Sequence, residues 1–124
     1  MIKARYHIEM EPMPITDEYL EYVSDQLSLF DSITYRKMFG GAGLYRDNIM
    51  FALIADDTLY FKTDDTNRDE YTSRGMGPFK PFPKRPMTMP YYQVPEDVLE
   101  DRERAAEWAR KAFEVAFNNK TNSG

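Results

Sequence analysis

The chain has 124 residues, 42% of them apolar and 30% charged, with a net charge of −5 and no cysteine. That composition argues against a disordered chain, rules out a disulfide framework and thiol chemistry, and leaves enough length for one domain with a buried core, expected over 1–124. The negative balance repels phosphate backbones at long range, so direct nucleic-acid binding is disfavoured.

The longest apolar run, Ile49 to Ala55, falls well short of the ~20 residues that a bilayer span needs. The first residues, Met1-Ile2-Lys3-Ala4-Arg5, lack the apolar stretch of a secretory signal. A cytoplasmic protein that does not enter the membrane is therefore expected. The densest basic stretch, Lys80, Lys84 and Arg85, together with Arg36 and Lys37, reads as solvated surface.

In chain order, residues 1–10 alternate apolar and polar and predict a strand. Pro12 and Pro14 end it. Thr16 suits a helix N-cap, with Asp17 and Glu18 placing negative charge on the first turn. Tyr19, Leu20, Val23, Leu27 and Phe30 then form one apolar stripe on a helix from about Asp17 to Leu29.

Tyr35 to Lys62 reads as three or four short strands on which the rest packs. Gly40, Gly41 and Gly43, then Asp47-Asn48, then Asp56-Asp57 mark the corners between them. Alternation in 49–54 puts Ile49, Phe51 and Leu53 on one side and Met50, Ala52 and Ile54 on the other. A strand apolar on both sides is expected to be central and covered twice. In 58–62, Leu59 and Phe61 point inward while Thr58, Tyr60 and Lys62 face a wetter side.

Asp64 and Asp65 open a helix over 66–73 with Tyr71 as its anchor and Gly75 as its stop. Paired aspartates without a longer ligand ladder cap a helix rather than bind calcium. The proline-rich stretch 77–92 reads as a hairpin with a stiff turn, ending in a strand that carries Met87, Met89, Tyr91 and Tyr92. Pro95 starts a short helix. The last helix runs from about Asp101 to Phe117 and buries Ala105, Trp108, Ala109, Ala112, Phe113 and Ala116. The core is expected over 16–117, with 118–124 frayed.

No catalytic constellation emerges. His7 is the one histidine and has no visible partner, and no Gly-x-Ser-x-Gly element is present. Gly40-Gly41-Ala42-Gly43 has neither the P-loop nor the dinucleotide spacing. The expectation is a protein that is not an enzyme and carries no catalytic, cofactor or metal residues.

Arg36 to Tyr45 (R-K-M-F-G-G-A-G-L-Y), Phe51 to Lys62 (F-A-L-I-A-D-D-T-L-Y-F-K) and Met89 to Glu96 (M-P-Y-Y-Q-V-P-E) resemble the TfoX/Sxy amino-terminal domain. The resemblance spans roughly Asp17 to Phe117. It implies an α+β fold with an antiparallel sheet, ordered helix, strands, helix, two strands, helix, similar to secretion-chaperone-like folds. The family's named members are bacterial regulators of natural competence that work with the cyclic-AMP receptor protein. They carry a second, helical domain without a counterpart in these 124 residues, and the family supplies no catalytic residues to carry over.

Two functional readings follow. One is a non-enzymatic module that docks on a protein partner, in regulation of transcription or competence, with Tyr35, Tyr45, Tyr91 and Tyr92 as candidate aromatic anchors. A contiguous exposed patch at Tyr91 or Tyr92 would support it. The other is a small-molecule or anion-binding protein in which Arg36, Lys37 and the amides of Gly40, Gly41 and Gly43 converge on one pocket. A homodimer through an edge strand is compatible with either.

Overall fold

The computed structural model describes residues 14–38, 40–82 and 84–123, the last three by their backbone. The strand expected at 1–10, and His7 with it, lies outside the described residues. The elements run α1 (Asp17–Gln26), β1 (Thr34–Met38), β2 (Gly41–Arg46), β3 (Ile49–Ala55), β4 (Thr58–Lys62), α2 (Arg68–Thr72), β5 (Pro78–Phe79), β6 (Met89–Gln93), α3 (Glu96–Glu100) and α4 (Arg102–Ser123). The strands form one antiparallel sheet in the order β1-β2-β3-β4-β6-β5, and the fold is α+β.

The two Asp/Asn corners read from the sequence are the corners observed, whereas of the three glycines only Gly40 lies at a corner, Gly41 and Gly43 being within β2. Asp47 and Asn48 (φ 52° and 64°) join β2 to β3, and Asp56 and Asp57 (φ 54° and 50°) join β3 to β4. Two-residue turns in this left-handed region match the twist of paired strands, and Asp and Asn tolerate it better than most residues. Gly40, at φ 78°, stands between β1 and β2. The second turn also anchors a helix. The Asp57 carboxylate accepts the Thr16 N–H at 2.8 Å, while the Thr16 hydroxyl caps α1 by accepting the Tyr19 N–H at 3.1 Å.

Helix lengths depart from periodicity where side chains intervene. The α1 stripe holds, with Leu20, Val23 and Leu27 buried. The regular helix nevertheless stops at Gln26, not Leu29. Gln26 Nε2 donates to the Leu99 carbonyl at 2.9 Å, and the Phe30 and Asp31 amides both turn back to the Leu27 carbonyl. Helix α2 starts late for a similar reason. Asp64 accepts the Thr66 N–H at 2.8 Å and Asn67 accepts the Asp64 N–H at 2.9 Å, so a side-chain-closed turn consumes the expected first residues. Tyr71 is the buried anchor and meets Trp108 edge-on at 4.9 Å, a contact worth ~0.5–1.5 kcal/mol beyond the area it buries.

Helix α4 begins where Asp101 accepts the Glu103 N–H at 3.0 Å. Its inner face carries Ala105, Ala109, Ala112 and Ala116, all buried, so the helix lies close across β3 and β4. The tail expected to fray continues as helix to Ser123, since no proline or glycine precedes Gly124 to stop it.

The sheet's second face corrects the expected alternation in β3. Along β2 the pairing passes from Leu44↔Ala52 to Tyr45↔Met50, leaving Phe51 as an extra residue. This β-bulge turns Phe51 and Ala52 to the same side. Ile49, Phe51, Ala52 and Ile54 therefore join the core under the helices, while Met50, Leu53 and Ala55 face the other way. The described helices cover only the first of these faces.

The other face is covered by curling. Met38 on β1 lines the same small cavity as Phe79 on β5 and Met89 on β6. In a flat sheet β1 and β5 would stand ~24 Å apart, at ~4.8 Å per strand step. The sheet is bent into a trough whose apolar floor, Leu53, Ala55, Phe79 and Tyr91, is buried by the trough's own walls.

This packing leaves no room at Gly41. A Cβ there would strike the Ile54 carbonyl oxygen, main chain against main chain. At Gly43 the nearest atoms are the flexible tips of Met38 (2.9 Å) and Met50 (3.1 Å). Gly41→Ala is therefore expected to cost about 2–4 kcal/mol in urea unfolding and Gly43→Ala about 1 kcal/mol or less. Equal losses would mean that the strand spacing at Gly41 is not the constraint described.

Candidate functional site

Among the described residues no helix covers the trough, and its side chains come from every strand. Arg36 (β1), Tyr45 (β2), Met50 and Leu53 (β3), Tyr60 and Lys62 (β4), Phe79 (β5), and Met89 and Tyr91 (β6) share it by strand register. Two cations lie on tyrosines: Arg36 at 4.8 Å from the Tyr45 ring centre and Lys62 at 5.0 Å from that of Tyr91. Such pairs contribute ~0.5–2 kcal/mol, more where water is excluded. Tyr60 meets Phe79 edge-on at 5.2 Å.

At one end of the trough is a cavity of about 30 Å³. Met38, Met50 and Met89 line it with Leu53, Phe79 and Ala55. Methionine is unbranched and polarisable, so such a lining can reshape around an inserted apolar group. The lining carries no titratable side chain.

Electrostatics follow burial. Removal from water pushes the Tyr91 hydroxyl up to about 12, with the nearby Tyr45 adding to the shift, and it raises Tyr60 as well. Burial holds the Lys62 ammonium below its ordinary value, against the opposite pull of Asp64. Tyrosines raised in this way are neutral donors at physiological pH. The face can offer apolar contact, hydroxyls and two cations, which suits binding rather than proton transfer.

The residues singled out in the sequence do not gather in one place. Arg36 and Lys37 are neighbours on β1 and point to opposite faces, Arg36 into the trough and Lys37 to the helix side. Gly41 and Gly43 lie within β2, between two paired strands, so their amides serve the ladder instead of converging with that of Gly40 on a pocket. That arrangement argues against the anion cradle.

The four tyrosines are also dispersed. Tyr91 is only 6% exposed, on the trough floor. Tyr92 is half-buried on the helix side, 6.2 Å from Tyr71. Tyr45 is half-buried and Tyr35 is 49% exposed on the edge strand. The contiguous exposed patch at Tyr91 or Tyr92 that would have supported docking does not form among the described residues, because consecutive strand residues split between a packed trough and a packed helical core.

Sequence reasoning missed Met38, Met50, Met89 and Lys62 as site residues. Three methionines of the chain's eight fall on strands that share one face, yet only the sheet order brings them together. Among the described residues no group of three or more His, Cys, Asp or Glu side chains is placed to hold a metal, and no helix is long and apolar enough to cross a membrane.

The TfoX N-terminal domain family matches residues 25–116, from the end of α1 through most of α4 and including the whole sheet, and the chain belongs to that family. No match was found among curated proteins. The family is not a known enzyme family, and membership suggests at most a regulatory role of the competence kind.

The buried tyrosines make stability fall at high pH. Burial raises Tyr19 and Tyr91 to about 12 and raises Tyr71 further, whereas in the unfolded chain all three ionise near ~10. Between those values the unfolded state has lost protons that the fold retains, so stability is intact below pH ~10 and declines as pH rises toward 12. Thermal melts from pH 8 to 12 should show this decline, and Tyr91→Phe should make it shallower. An unchanged slope in that variant would place the Tyr91 hydroxyl in water.

Proposed function

We propose that this protein is a non-enzymatic interaction domain that regulates transcription, in competence or a related programme, by docking on a protein of the transcription machinery in the bacterial cytoplasm. The observation that carries this reading is the trough: a concave, methionine-lined apolar face with two cation–tyrosine pairs and, among the described residues, no helix over it. Faces of this composition suit a partner's apolar anchor, since aromatic, methionine and arginine side chains are enriched at interface cores. Family membership supports the regulatory setting. The acidic net charge favours a protein partner over DNA.

The test is genetic and structural together. Deleting the gene in its own bacterium should lower competence-gene transcripts several-fold, and wild-type protein should restore them. Met50→Glu/Met89→Glu sets carboxylates into the cavity wall and should fail to restore them while keeping the wild-type circular dichroism. Transcripts that do not respond to deletion would end the regulatory reading. Full rescue by the folded double variant would move the contact away from the trough.

A further inference from the structure

The two ends of the sheet differ in a way the trough does not explain. β5 has two residues, one of them Pro78, which has no N–H to offer. β1 has five, Thr34-Tyr35-Arg36-Lys37-Met38, with no proline or glycine, and four of the five are exposed. Among the described residues no strand pairs with its outer edge. An edge that no described strand pairs with presents a row of N–H and C=O groups at which another extended chain can add.

Its side chains specify what would fit. Arg36 stands on the trough side and Lys37 on the helix side, with the exposed Tyr35 ring beside Lys37's face. An added strand sets its own consecutive residues on alternate faces, so two adjacent acidic residues would meet Arg36 and Lys37 at once. A second copy of this chain fits less well. Antiparallel pairing centred on Arg36 or Lys37 puts like charges opposite each other, and pairing centred on Tyr35 still crowds four cations onto two neighbouring strands.

We infer that β1 is a docking edge for an extended acidic segment of a partner protein, recognised by strand addition with neighbouring Asp or Glu residues on Arg36 and Lys37. The inference rests on the docking reading above and names the chemistry of the partner. The chain's own net charge of −5 offers no long-range attraction. Beyond a Debye length of ~8 Å that charge is largely screened, and the two local cations set the register.

The experiment uses the purified full chain and two synthetic peptides, both of alternating valine and threonine, one with a central Glu-Glu and the other with Lys-Lys. Titration is followed by amide chemical shifts and hydrogen exchange. The Glu-Glu peptide should protect amides of β1 and bind about tenfold more tightly than the Lys-Lys peptide, and Arg36→Glu/Lys37→Glu should reverse that order. Equal binding of both peptides, protection confined to other strands, or no binding at millimolar peptide would overturn the inference. So would β1 protection in peptide-free protein, which would assign the edge to a second copy if it disappears on dilution and to another segment of the same chain if it does not. Because the readout is direct, loss of peptide binding leaves the transcript result standing, and a silent deletion phenotype leaves the peptide result standing.

Discussion

The extra residue in β3 is the constraint on which the rest of the structure depends. Without it, Phe51 and Leu53 would share a face and Ala52 would lie opposite them; the bulge gives the helical core Phe51, Ala52 and Ile54 and the trough Met50, Leu53 and Ala55. With it, Phe51 packs beneath α4, 5.2 Å from Phe30 and 6.4 Å from Phe113, while Leu53 drops to the trough floor. A bulge also sharpens local twist and bend. It sits in a central strand, so the bend is passed to the paired strands on both sides, and the ends of the sheet come to share one cavity.

The chain's cations are largely committed to local partners, which explains how an acidic protein uses them. Arg46 lies over both Phe30 (5.3 Å) and Phe113 (4.7 Å) and pairs with Asp31 at 2.6 Å, fastening the segment after α1 to β2 and α4. Asp31 is held below the usual carboxylate range by the Ser32 amide and by Arg46. Arg74 and Arg104 share Asp97, each at 3.1 Å, and Arg102 reaches Asp25 at 2.8 Å. Exposed pairs like these add little stability each. Their effect is to orient α1, α3 and α4.

Much of the fold was legible because it is written in short-range chemistry. The Asp47-Asn48 and Asp56-Asp57 corners need residues that accept the left-handed region, and such residues stand there. The stripes on α1 and α4, the buried Leu59 and Phe61 of β4, and the proline-stiffened hairpin before β6 all follow from periodicities of a few residues. What went astray lay where a distant group intervened. Gln26 reaches the distant Leu99 carbonyl where α1 gives way to turns, and the pairing with β2 skips Phe51 and shifts the faces of β3.

Of the trough's side chains, sequence singled out Arg36, Tyr45 and Tyr91 and passed over the three methionines and Lys62. Sequence marked Arg36 as a contact residue, and it lies on the trough wall. It also joined Arg36 to Lys37 and Tyr91 to Tyr92, pairs that a strand necessarily divides between opposite faces. Met38, Met50 and Met89 carry no local signal that they meet, because their nearness is created by strand order and by the bend of the sheet. By itself, then, the sequence determined the order of helices and strands, the turns, and the family, since these depend on side-chain chemistry within a few residues. Only the tertiary structure decided which side chains share a surface, because that depends on register, bulge and curvature set by contacts far apart in the chain.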